Sequence, residues 1–116
     1  MAARLGNAPF NSEVMSPAGS DQGSATLIRQ RFSPGLIMAA GDAVTGLRLP
    51  AASKGKIFYI KNTGTNQLAI LYVYPAVGNA VNSLAVNSPI QLGPQTSATF
   101  IAGDSTTWHT IPVVPS

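Results

Sequence analysis

The sequence predicts an all-β chain: a small antiparallel β-sandwich, jelly-roll-like, of about seven strands with an extended amino-terminal arm. Three observations lead there. Short runs rich in β-branched, aromatic and aliphatic residues recur from residue 26 to residue 111, and most alternate apolar with polar. The 11 glycines and 9 prolines are spread at intervals rather than gathered in one block, as turns between short strands require. No window carries apolar residues at the 3.6-residue spacing of a helix face.

The elements follow in order. Residues 1–24 read as the arm, because "GNAPFNSEVMSPAGSDQGS" is polar, broken by Pro9, Pro17, Gly19 and Gly23, and keeps no period. Residues 25–116 read as the sandwich. "TLIRQRF" (26–32) would set Leu27, Arg29 and Arg31 on one face, with Ile28, Gln30 and Phe32 on the other. In "SPGLIMAAGD" the Pro34-Gly35 pair marks a turn. "VTGLRL" (44–49) alternates, with Leu47 and Leu49 opposite Arg48, and Pro50 ends it because proline cannot donate to a ladder. "KIFYIKNTGTNQLAILYVYP" (56–75) reads as a hairpin around the polar loop "NTGTNQ". "AVNS" occurs twice, at 80–83 and 85–88, too closely spaced for a solenoid repeat and so read as loop composition. "IQL" (90–92) is a short strand between Pro89 and Pro94, and "SATFIA" (97–102) and "TTWHTI" (106–111) form a closing hairpin across "GDS".

The 56–75 hairpin carries the functional expectation. Along its second strand Leu68, Ile70, Tyr72 and Tyr74 would point one way, and Ala69, Leu71 and Val73 the other, so neither face is polar. A large apolar side chain gains roughly 1.5–3 kcal/mol on burial, and monomers rarely expose a broad apolar patch. The sequence therefore predicts a homo-oligomer. Interface candidates are Phe10 and Val14 of the arm, Leu71 and Val73 of the strand, and Arg29 and Arg31 as salt-bridging groups.

Chemistry is hard to place in the chain. There is no cysteine, which removes disulfides, thiolate metal sites and cysteine nucleophiles together. His109 is the single histidine; no Gly-x-Ser-x-Gly elbow accompanies it, and it reads as a strand residue beside Trp108. The acids Glu13, Asp21, Asp42 and Asp104 are scattered, and both Asp42 and Asp104 follow glycine in "AGD", which is turn chemistry. Gly55-Lys56 lacks the rest of a phosphate loop. Seven basic residues give a net charge of +3 but no clustered patch, which argues against a nucleic-acid partner. The start has no apolar h-region, and the longest apolar run, interrupted by Pro75, is too short to span a bilayer as a helix. The expectation is a protein that is not an enzyme, with no cofactor, metal, membrane or small-molecule substrate. The alternative is a glycan-binding module, with Tyr72, Tyr74 and Trp108 as stacking platforms for sugars.

A resemblance sharpens this. The run from Leu47 to Ile111 has a Leu49-Pro50-Ala51-Ala52 turn, Gly55-Lys56, Lys61-Asn62, Tyr74-Pro75-Ala76, Gly78, Asn82, Ser97-Ala98-Thr99-Phe100 and Trp108. In this rhythm it resembles small structural proteins of tailed bacteriophages, of the head decoration or cement type. The resemblance covers somewhat over half the chain and rests on turns and strands rather than a catalytic signature. It implies a virion protein on the capsid surface, made in the host cytoplasm, and as the alternative a tail fibre or spike module that binds host-surface glycans. Its partners would be the phage major capsid protein and itself, with a trimer favoured. It would stabilise the shell by binding its intact form.

Overall fold

The structure is a computed structural model, and it describes residues 11–29 and 34–113. Among these there are ten strands and no helix. The strands are β1 (Asn11–Val14), β2 (Thr26–Leu27), β3 (Gly35–Ala39), β4 (Gly46–Arg48), β5 (Ile57–Asn62), β6 (Leu71–Tyr74), β7 (Ala80–Val81), β8 (Ile90–Leu92), β9 (Ser97–Ala102) and β10 (Thr107–Ile111). They form a six-stranded sheet, ordered β1-β3-β5-β9-β10-β7, and a four-stranded sheet, ordered β2-β4-β6-β8. The all-β expectation and the positions of β8, β9 and the closing β9–β10 hairpin agree with the sequence reading.

The pairing does not. The sequence reading expected an antiparallel sandwich, but five of the eight ladders are parallel: β1–β3, β3–β5, β2–β4, β4–β6 and β10–β7. Up to β6 the chain steps from one sheet to the other with each strand, so each strand lies beside the one two places earlier. One turn of this coil takes roughly two dozen residues, as the pairing of Asn11 with Gly35 and of Gly35 with Phe58 shows. After β6 the chain changes habit, and β8 and β9 pair antiparallel with β6 and β5.

Residues 56–75 are therefore not a hairpin. β5 lies in the six-stranded sheet and β6 in the other, and residues 63–70 are the crossing between them. Residues 35–39, read as part of a turn region, are a strand with Ile37 and Ala39 in the core. Only Thr26 and Leu27 of the predicted 26–32 strand pair in a sheet, and residues 30–33 lie outside the described residues. Within the segment read as an arm, residues 11–14 are a sheet strand and Ala18 bridges Gly46; Phe10 lies outside the described residues.

The two sheets share one core. Ile37, Phe58, Ile60, Ala98, Phe100, Ala102 and Trp108 face inward from the six-stranded sheet, and Leu47, Leu71, Val73, Ile90 and Leu92 from the other. The Phe58 and Trp108 rings lie 5.8 Å apart, tilted by 40°. The strict alternation of buried and less buried positions along β3, β5, β9 and β10 follows from strand geometry, in which neighbouring side chains point to opposite faces.

The crossing from β5 to β6 is held by one polar side chain. Asn62 is fully buried at the end of β5. Its Oδ1 accepts from the backbone N–H groups of Gly41 and Gly64, each at 2.9 Å. Its Nδ2 donates to the carbonyls of Ala69 (2.6 Å), Leu92 (2.9 Å) and Gly93 (3.0 Å). A buried amide is stable only when its partners are supplied, and here three segments supply them: Gly41 after β3, Gly64 and Ala69 in the crossing, and Leu92 and Gly93 at the end of β8. Asn82 and Asn87 of the two "AVNS" copies both take positive φ (53° and 71°), a conformation asparagine tolerates better than most residues, but the first copy is strand β7 running into a turn closed between Val81 and Leu84, and the second is itself a turn closed between Ala85 and Ser88.

Candidate interaction surface

Each sheet has an outer face, and the two differ. On the four-stranded sheet, β4 and β6 direct Arg48, Tyr72 and Tyr74 outward, with Gln91 of β8 beside Tyr72. The chain covers part of this face itself. Ala18 and Gly46 exchange backbone hydrogen bonds of 3.0 and 3.1 Å. Gln22 donates through Nε2 to the Pro75 carbonyl (2.9 Å) and to Asn87 Oδ1 (3.2 Å), and its own carbonyl accepts from Arg48 Nη1 at 3.4 Å. Tyr74 is buried as a result and stacks near Tyr72, with ring centroids 6.4 Å apart. Burial, and secondarily the charge of Asp21, push the Tyr74 phenol above its usual range. Gly46 makes room for this arrangement, since a Cβ there would lie 3.0 Å from the Tyr74 ring and 2.8 Å from the Tyr72 carbonyl oxygen.

The outer face of the six-stranded sheet has a different character. Register places Ser12, Leu36, Tyr59, Thr99 and Ile111 in one row across five strands. Val14, Met38, Lys61 and Ser97 form the row on one side of it, and Ile57, Ile101 and His109 the row on the other. Leu36, Met38, Ile57, Tyr59 and Ile101 are half-buried, while Val14 is 78% and Ile111 62% exposed. A shallow groove of about 220 Å³ runs between Leu36, Tyr59 and Lys61 on one side and Thr99, Ile111 and Pro112 on the other. Apolar residues thus occupy both faces of this sheet, which is the condition that the sequence reading assigned to the segment 68–74.

The predicted site residues divide accordingly. Val14 is exposed on this outer face. Arg29 is exposed just beyond β2, away from the sheet rows. Arg31 and Phe10 lie outside the described residues. Leu71 and Val73 are corrected: both have no exposed surface and belong to the core of the chain. The glycan-stacking set is corrected as well, because Trp108 is wholly buried, Tyr74 is 7% exposed, and Tyr72 alone keeps part of its surface. The indole Nε1 of Trp108 has no hydrogen-bond partner, so that side chain is held by packing. The residues that sequence reasoning missed are Leu36, Met38, Ile57, Tyr59, Ile101 and Ile111. In each strand they are the apolar residues out of phase with the fully buried ones, and that is the signal by which they are recognised.

The two aspartates with shifted acidity organise turns. The Asp104 carboxylate accepts from the Thr106 N–H (2.7 Å), the Thr106 hydroxyl (2.9 Å) and the Thr107 N–H (2.9 Å), which together hold its pKa below the usual carboxylate value. Asp21 is lowered in the same way by the Ser24 hydroxyl (2.7 Å) and the Ser24 N–H (2.9 Å). A carboxyl whose folded pKa lies below its unfolded one stabilises the fold above the unfolded value, about 3.9 for aspartate. That contribution is lost as pH falls through the lowered folded value. Urea titrations from neutral to acid pH are therefore expected to show declining midpoints. The decline should be shallower in Asp104→Ala and Asp21→Ala, both less stable than the parent at neutral pH. Unchanged acid profiles in both variants would contradict the role given to these turns.

Among the described residues, no group of three or more His, Cys, Asp or Glu is placed to hold a metal ion, and no helix is long and apolar enough to cross a membrane. Comparison with protein-family models, with curated proteins and with solved structures finds no match to this chain.

Proposed function

We propose that the chain is a non-enzymatic structural protein of a tailed-bacteriophage virion, a capsid decoration or cement protein that acts as a homo-oligomer on the outside of the head. The observation that carries the reading is the apolar outer face of the six-stranded sheet on a chain whose core is already complete. A face of this kind is of use to a protein that works in contact with other protein surfaces. The resemblance of residues 47–111 to phage structural proteins supplies the kind of assembly. We read the fold as a short solenoid-like coil closed by an antiparallel hairpin, rather than a jelly roll. Its sheets give a stiff platform.

The mechanism is linkage. A protein that binds the intact shell and not its ruptured form shifts the equilibrium toward the intact shell, by an amount set by free concentration over dissociation constant. Several copies on one oligomer multiply weak contacts by effective concentration. The test uses heads assembled without this chain. They are expected to open at lower temperature than complete heads, and purified protein added back should co-sediment with them and restore the difference. Heads that neither bind the protein nor gain stability from it would remove the decoration reading.

A further inference from the structure

We infer that the outer face of the six-stranded sheet is the surface on which a second copy of this chain packs. The inference rests on the assembly reading above and names the face that serves it. Five strands, β1, β3, β5, β9 and β10, contribute to it, and the rows through Leu36–Tyr59–Thr99–Ile111 and Ile57–Ile101 are mostly apolar, with Ser12 and His109 at their ends and Thr99 and the Tyr59 hydroxyl as the polar groups between. Strands lie about 4.8 Å apart and rise about 3.3 Å per residue, so this face has a footprint of roughly 400 Å². Two such faces brought together cover roughly 800 Å² in projection, so side-chain relief has to add about a quarter more to reach the roughly 1,000 Å² that a specific interface clears.

Charge favours a copy over a polyanion. Among the described residues the strands place one formally charged side chain on this face, Lys61, with His109 as the other basic group. One cation is too few for a phosphate backbone. It is also little burden to self-association, because Lys61 is exposed in an outer row and a lysine can lay its stem on apolar surface while its ammonium stays in water. The face is also not flat. The groove beside Tyr59 is a recess, and Val14 and Ile111 stand out from the same face. Packing a copy here fills recess with relief, as shape complementarity at an interface requires. The opposite sheet offers less, since the chain's own residues 16–25 already cover part of it.

Light scattering on the full chain across a concentration series tests this. The parent is expected to exceed the monomer mass at micromolar concentration. Leu36→Lys and Ile101→Lys, each adding a charge to the face without touching the core, should each raise the dissociation constant at least tenfold while circular dichroism stays unchanged. Gln91→Lys, on the outer face of the other sheet, should assemble like the parent. If both lysine variants assemble as the parent does, or if Gln91→Lys dissociates in their place, the face is misassigned while self-assembly stands. A parent that stays monomeric at 100-fold higher concentration overturns both the face and the homo-oligomer reading. Should either lysine variant misfold, Ile101→Thr, which keeps the β-branch, replaces it and is expected to weaken association by a smaller factor.

Discussion

Asn62→Ala is expected to bring the protein close to global unfolding at room temperature. The substitution removes the acceptor for two backbone N–H groups, of Gly41 and Gly64, and the donor for three carbonyls, of Ala69, Leu92 and Gly93. With two hydrogens on Nδ2, one of the three carbonyl contacts is shared. Each buried backbone group left without a partner costs about 1–3 kcal/mol. Partial entry of water into the space left by the amide lowers that toll, so a loss of about 4 kcal/mol is the expected result. A small domain holds only some 5–15 kcal/mol in all. Asn62→Asp separates the two halves of the network, because a carboxylate still accepts from Gly41 and Gly64 but gives nothing to the three carbonyls. It should also be severely destabilising. Denaturant melts of the three proteins measure this, and a loss below about 1 kcal/mol for the alanine variant would show that the two loops do not depend on this residue.

Gly41→Ala is the second large effect. A Cβ built on Gly41 would meet the Ile70 carbonyl carbon at 2.5 Å, its oxygen at 2.6 Å and the Leu71 nitrogen at 2.7 Å. These are backbone atoms at the entrance to β6, so no rotamer change relieves the clash. Overpacking a rigid site costs about 1–3 kcal/mol and sometimes more. Here a backbone shift also disturbs the hydrogen bond from Gly41 to Asn62, and about 3 kcal/mol is expected. Gly93→Ala is the matched control: nothing lies within 4 Å of its Cβ position and its φ is not in the left-handed region. That change should alter stability by about 0.5 kcal/mol or less. Equal melts for the two variants would mean that the close passage of residues 41 and 70 is not maintained in solution.

Asn62 and Gly41 both bear on how much of the fold was legible from the residues. Alternation reported inside against outside correctly in strands that the sequence reading recognised: Leu47 and Leu49 are buried opposite Arg48, and Ala98 and Phe100 point inward together. It is silent about direction, because parallel and antiparallel strands alternate alike. Nothing in "KIFYIK" and "AILYVY" says whether they share a sheet. One sign was present. Eight residues separate the end of β5 from the start of β6, longer than the two to five of an ordinary hairpin loop. Asn62 was another sign that composition hides, since an asparagine at a strand end reads as turn chemistry until its partners are seen to come from three separate segments. The candidate interaction surface shifts for the same reason. Once β5 and β6 were taken as neighbours, Leu71 and Val73 became the surplus apolar residues. With the crossing in place they are interior, and the surplus passes to Leu36, Tyr59 and Ile101.

The coiled path also dictates an order in time. In β1 through β6 each strand's partner lies a full turn away along the chain, so a wide loop must close before any of those contacts is gained. β9 and β10 are joined by a few residues and face no such delay. The β9–β10 ribbon is therefore expected to form early and to offer β9 as a template to β5. Because β9 and β10 follow β1 to β6 along the chain, the apolar strands are synthesised before the ribbon that would template them.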